Sequence, residues 1–326
     1  MEEIYDSIII GTGAAGLSAS LYAGRYTMKV FALGKEFGGE TATAGIIHNY
    51  PGVPDIEGYE LMKIMRKQAE ALGVTIADGE VTDITIDDSG CFIVRLGEKT
   101  HQSASIIFAH GTKRRHLGIP NEKELTGRGV HYCITCDGPL YSGKTIAIVG
   151  GGDASVKGAN LAAEYAEKIY LITLEKEVRA EPINYELMKK HGDKVVVIAE
   201  NTVSEIVGNG MLEKVILKNE YNGSRELAVS GLFVEIGAVP DATLPQKLGV
   251  SLDECGYVAT DNMMKTNIPG VFAAGDIVNH FGSFKQDITA AAMGAVAATS
   301  AYDYRKKNGD VCVLHGIPHG ALALRV

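Results

Sequence analysis

Basic residues are in short supply in this chain. Its 31 Lys and Arg stand against 40 Asp and Glu, a formal net charge of -9, which favours solubility and works against nonspecific contact with nucleic acid or an anionic membrane. No basic block compensates, so neither partner is expected. No apolar run approaches the length of a membrane span. The opening MEEIYDS is acidic and passes straight into the apolar Ile8 to Ile10, without the charged leader and cleavage site of a secretory signal. Cysteine is scarce as well: five in 326 residues are too few and too scattered for a disulfide scaffold. That usage fits a reducing compartment and predicts a cytoplasmic protein. Two of the five, Cys133 and Cys136, sit close together and form the one special pair.

What is present is enough apolar material for two cores. A chain of 326 residues with 46% hydrophobic content supports two ordinary domains, and a strand, glycine turn and helix unit occurs twice. In the first copy Gly11, Gly13 and Gly16 follow the strand Ser7 to Ile10; bare backbone there lets a pyrophosphate approach the positive end of the next helix. Ala14, Ala15 and Ala19 allow that helix to lie close to the sheet. In the second copy Gly150, Gly152 and Ser155 follow the strand Thr145 to Val149, with Ser155 in place of the last glycine. One such turn is a weak signal, whereas two in the required setting imply two dinucleotide sites.

The stretches Val81 to Ile86 and Cys91 to Leu96 read as antiparallel strands joined by Asp87, Asp88, Ser89 and Gly90. Gly270 to Ile277 reads as a buried strand stopping at Asp276, an acid able to reach a ribityl or ribose hydroxyl, and Gln286 to Tyr304 as a helix. The expected fold class is α/β, with two Rossmann-like dinucleotide-binding domains of three ββα layers, the second inserted in the first. Residues 1–113 and 245–326 form the outer domain and 114–244 the inner one. The crossings lie in Gly111 to Gly118 and Ala238 to Leu244.

Taken in order, GTGAAG, HNYPG, YCITCDG, GGGDAS and AAGDI make the chain resemble the low-molecular-weight thioredoxin reductases from about residue 5 to residue 306. The resemblance implies a homodimeric FAD-dependent enzyme that reduces thioredoxin or a thioredoxin-like protein. It places Gly11, Gly13, Gly16, Gly39, Glu40, Asn49, Asp276 and Gln286 around FAD. Glu40 departs from the family pattern, which usually has Gln after the paired glycines, and a carboxylate there disfavours an anionic reduced flavin.

A thiolate attacks a disulfide through a mixed disulfide, which a second thiol within one short loop can resolve. The spacing Cys133, Ile134, Thr135, Cys136 provides that loop. By resemblance Cys136 faces the flavin, Cys133 attacks the partner, and Asp137 protonates the departing thiolate. Half a zinc knuckle, with His131 nearby, is the structural alternative, but no second pair accompanies it, and no metal is expected. Cys91, Cys255 and Cys312 are isolated in sequence and receive no chemistry.

The nucleotide site departs most. Where relatives carry arginines that clamp the 2′-phosphate of NADPH, this chain has Thr173, Leu174, Glu175, Lys176, Glu177, Val178 and Arg179. Losing two charge-assisted contacts of roughly 1.5–3 kcal/mol each weakens NADPH by about two to four decades. Glu175 sits near where an acid accepts hydrogen bonds from an unphosphorylated ribose, so Gly150, Gly152, Ser155, Glu175 and Arg179 form a possible NADH or NADPH site. The alternatives are a reductase of the same fold fed by ferredoxin or a deazaflavin, and a flavin redox sensor that does not turn over. The apolar tail Gly309 to Val326 is expected to pack over the flavin or across a dimer, with His315 or His319 near the ring. His110 in FAHGT, where relatives place Thr, is expected to pack near FAD.

Overall fold

The computed structural model describes residues 4–282 and 284–308; the tail with His315 and His319 lies outside them. The chain forms two compact units, one of residues 1–113 with 240–326 and one of 114–239, so 240–244 go with the outer unit.

The outer unit is built on a five-stranded parallel sheet ordered Val271–Ala273, Ile106–Phe108, Ser7–Ile10, Val30–Gly34 and Thr75–Asp78. Ser7–Ile10 and its two neighbours are buried outright, which is why they read as continuous apolar runs rather than alternating ones. The hairpin of Val81–Ile86 and Phe92–Leu96 is antiparallel as expected. Its turn is set by Asp87, whose Oδ1 accepts from the Ser89 and Cys91 amides at 2.9 and 3.1 Å. The helix Ala14–Arg25 is sandwiched between the sheet and the helix Asp287–Asn308. A Cβ on Gly294 would stand 2.1 Å from the Ala15 carbonyl oxygen, and Ser18 Oγ donates to Ala291 O at 2.7 Å. One expectation is corrected here. The strand at AAGDI stops at Ala273, because Gly275 turns the chain at φ +80° into a 3-10 turn, Gly275–Ile277, that carries Asp276.

The inserted unit repeats the plan. Its parallel sheet runs Val130–His131, Gly231–Val234, Thr145–Val149, Lys168–Ile172 and Val195–Ile198. Alternate side chains serve two separate cores, as the period of a strand requires. Ala147 and Val149 face the three-stranded antiparallel sheet of Val203–Gly208, Leu212–Tyr221 and Ser224–Ala228. Ile146 and Ile148 face the helix Asp153–Ala162. Two β layers and one α layer result, and the molecule is thus two Rossmann-like units with one inserted in the other.

Candidate active site

The two glycine turns separate what the fold needs from what a ligand needs. A Cβ on Gly11 would lie 2.2 Å from Ala109 O, and one on Gly16 1.8 Å from Gly11 O. Gly150 is blocked likewise by Glu235 O at 2.2 Å. The middle glycines are not blocked. Gly13 would meet nothing closer than Gly38 O at 3.7 Å, and Gly152 nothing within 4 Å; their φ of -77° and -94° suit any residue. No protein contact requires glycine at these two places, while a pyrophosphate drawn close to backbone does. Gly13 caps the helix Ala14–Arg25 without a side-chain hydrogen bond, and no acid stands in that helix's first turn. Its amides are therefore available to an anion. These residues fit the pyrophosphate of FAD, and those of the second turn fit another dinucleotide. Ser155, in place of the third glycine, bonds Gly152 O through its Oγ at 2.7 Å and leaves the turn intact.

The other residues expected around FAD also lie in the outer unit. Asn49 donates to Gln286 Oε1 at 2.9 Å, joining HNYPG to the start of the last helix. Gly39 opens the short helix Gly39–Ala42 that carries Glu40. Burial pushes the Asp276 carboxyl above its ordinary range; Lys285 opposes this, and Asp287 and Glu40 add to it. Sequence reasoning missed Lys285, Asp287 and Thr41. Lys285 Nζ donates to the carbonyls of Asp276 and Val278 and lies 4.3 Å from the centroid of the Tyr257 ring. Thr41 Oγ1 donates to Asp287 Oδ1 at 2.5 Å. Proximity to Gln286 was the only hint of Lys285 and Asp287 in the sequence. His110 Nε2 meets Asp241 O at 2.7 Å, and its buried Nδ1 has no partner among the described residues. Burial lowers its pKa.

In the inserted unit Cys133 and Cys136 are joined in a disulfide. Cys133 precedes the one-turn helix Ile134–Asp137, and its sulfur accepts from the Cys136 amide at 3.2 Å. Ile134 anchors this turn in the core with Val156 and Ala159. A Cβ on Gly138 would meet Tyr165 Oη at 2.0 Å, so the tyrosine would have to shift to admit a side chain. Cys133 is half-buried and Cys136 exposed. His131, the ligand of the zinc alternative, spends both ring nitrogens elsewhere, on Asp137 and Tyr141. No metal-binding cluster occurs among the described residues. Of the isolated cysteines, Cys255 is exposed and free, Cys91 is buried and is not a free thiol, and Cys312 lies outside the described residues.

At the second glycine turn, Arg179 donates its amide to Gly151 O at 2.6 Å, which brings the segment 175–179 alongside the turn. Its guanidinium bonds Glu175 Oε2 at 2.9 Å. Asp153, in the first turn of the helix, is directed away to the Glu181 amide and Asn184 Nδ2, both at 2.9 Å.

The profile of the pyridine nucleotide-disulphide oxidoreductase family matches residues 5–298. A thioredoxin reductase of Peptoclostridium acidaminophilum is 38% identical over 318 residues, 94% of this chain and 99% of its own. Among solved structures, the thioredoxin reductase of Lactococcus lactis gives a TM-score of 0.87 at 36% identity, covering 93% of this chain and 99% of that one. The thioredoxin reductase of T. acidophilum gives 0.85 at 34%, again covering 93% and 99%.

Proposed function

The chain belongs to the pyridine nucleotide-disulphide oxidoreductase family, and from that premise we propose that it is a FAD-dependent thioredoxin reductase whose working dithiol is Cys133 and Cys136. The observation that carries the assignment is the Cys133–Cys136 disulfide, held on a strand-to-helix turn of the unit that also bears the second glycine turn. FAD, when bound, would supply two-electron chemistry between a low-potential donor and that disulfide. Gly11, Gly13 and Gly16 would hold its pyrophosphate, Asp276 its polyol, and Gly39, Glu40, Asn49 and Gln286 the remainder. The reduced pair then exchanges with thioredoxin: Cys133 attacks, Cys136 resolves the mixed disulfide, and Asp137 supplies a proton to the thiolate that leaves. The Cys136 amide, already directed at the Cys133 sulfur, is the donor that stabilises a thiolate there.

For the electron source we infer NADH in preference to NADPH. Gly152 is bare for no reason internal to the protein, which supports a working nucleotide turn. Arg179 bonds Glu175, whose carboxylate beside the guanidinium disfavours a 2′-phosphate there. That ion pair also favours the second reading, in which reduced ferredoxin or a deazaflavin feeds the same flavin. A cytoplasmic homodimer is the assembly that goes with this function. No helix among the described residues is long and apolar enough to cross a membrane.

The test is reduction of thioredoxin disulfide by purified, FAD-loaded protein with NADH, NADPH and reduced ferredoxin in parallel. NADH is expected to support turnover best. Cys136→Ser is expected to fall to the assay background, and sustained turnover in that variant defeats the dithiol assignment.

A further inference from the structure

His131 is nearly fully buried, at 6% exposure, yet both of its ring nitrogens are engaged by groups that flank the dithiol. Nδ1 stands 2.9 Å from Asp137 Oδ2, and Nε2 stands 2.6 Å from Tyr141 Oη. His131 ends the strand Val130–His131, and Asp137 ends the helix Ile134–Asp137. Their contact therefore closes a clasp across the seven-residue segment that contains Cys133 and Cys136. The ring plane is fixed independently. His131 pairs in register with Phe233 on the adjoining strand and stacks on it at 5.4 Å with 24° between planes. Tyr141 meets it edge-on at 71°.

An ionised carboxylate only accepts, so Nδ1 carries a proton towards Asp137 whenever that carboxyl is ionised. When the Nδ1 proton passes to Asp137, Nε2 keeps its own and the ring becomes neutral. The Tyr141 hydroxyl accepts from Nε2 in both charge states. Burial, and then the nearby Asp137, push the Tyr141 pKa up, so that hydroxyl keeps its proton. The ring can thus gain or lose a proton while no side chain moves. The titratable groups facing it are Asp137 from the helix and Tyr141 from the 3-10 turn Gly138–Tyr141. The adjoining strand contributes the uncharged Phe233.

We propose that His131 is the positioning residue of the dithiol reaction: it fixes the carboxyl of Asp137, the residue that follows Cys136, and stores the proton that Asp137 hands to a departing thiolate. This rests on the dithiol reading given above. In each exchange one S–S bond of the partner breaks as one bond to Cys133 forms, and the sulfur set free takes one proton from the His131–Asp137 pair. The second release, when Cys136 attacks Cys133, takes another. The two electrons come from the dithiol itself; the two protons its thiols lose on attack pass to solvent, which reprotonates the pair.

Single-turnover reaction of dithionite-reduced, FAD-loaded full-length protein with thioredoxin disulfide between pH 5.5 and 8.5 tests this without any nucleotide. His131→Phe removes both polar contacts and is expected to slow the exchange roughly ten- to a hundredfold, with half-saturation by thioredoxin unchanged. His131→Asn keeps an N–H near the Nδ1 position. It should recover much of that rate yet alter the pH profile, because an amide cannot hold a second proton. A folded His131→Phe with the rate and pH profile of the unaltered chain overturns the proposal, as does His131→Asn with an unaltered profile. If His131→Phe does not fold, His131→Asn decides alone. Failure of the unaltered chain to reduce thioredoxin in the same experiment overturns the thioredoxin reading instead, and this inference with it.

Discussion

Arg179 gives its guanidinium to Glu175 across 2.9 Å, four residues apart on one exposed segment. Such a pair adds little to stability, and its consequence is for selectivity. Glu175→Ala should free the guanidinium and raise kcat/KM for NADPH relative to NADH by roughly tenfold, the worth of one charge-assisted contact in a solvated setting. Steady-state kinetics with both nucleotides measures the ratio, and an unchanged ratio means Arg179 does not face the ribose.

Asp276 is held above the ordinary carboxylate range, by burial first, against the pull of Lys285 and with Asp287 and Glu40 adding to the rise. A carboxyl raised in this way binds more protons folded than unfolded, so it subtracts stability as pH climbs from its unfolded pKa through its folded one. Asp276→Asn should therefore raise the melting temperature of the FAD-free protein at pH 7 more than at pH 4, while weakening FAD binding. Paired melts and a fluorescence titration with FAD check this. A loss of stability at pH 7 in the FAD-free variant contradicts it.

His110 behaves in the opposite sense. Burial lowers its pKa, so the unfolded chain takes up a proton that the folded one refuses. Its contribution is intact above the unfolded value of about 6.5 and is lost as pH falls below it. Thermal melts between pH 7.5 and 5 should show a steeper acid decline for the unaltered chain than for His110→Gln; parallel curves would show that the ring takes no part.

Two glycine substitutions should separate packing from ligand binding. Gly294→Ala drives a methyl to within 2.1 Å of the Ala15 carbonyl and should cost about 1–3 kcal/mol through forced separation of the two helices. Gly152→Ala meets nothing within 4 Å and should change stability by less than about 1 kcal/mol, yet weaken pyridine nucleotide binding. Chemical denaturation and calorimetric titration with NADH read the two effects, and normal nucleotide affinity in Gly152→Ala rules that turn out as the binding place.

What could be read from residue order alone was whatever depends on short spacing. The turns at Gly11 and Gly150, the paired cysteines and the hairpin about Asp87 each declare themselves within a few residues, because their geometry is local. The end of the strand at Ala273 was misplaced by a run of apolar and small residues that continues past the point where Gly275 bends the chain. Lys285, Asp287 and Thr41 were invisible for another reason. Thr41 and Asp287 are 246 positions apart, and their contact exists only once two helices have been brought together. The parts proposed for Asp137 and His131 differ in the same way. The first is what the family resemblance of YCITCDG implies, whereas the second needs the cross-strand register with Phe233 and the turn that returns Tyr141 to the ring.

The inserted unit enters and leaves at one place. The Arg115 amide meets Gly237 O at 3.0 Å, and beside it Arg114 bonds the buried Glu235 at 3.0 Å. A segment with adjoined ends behaves as a cassette. Residues 114–239 are one uninterrupted stretch of sequence, so the Cys133–Cys136 disulfide, the His131–Asp137 contact and the second glycine turn travel together in any exchange of that stretch.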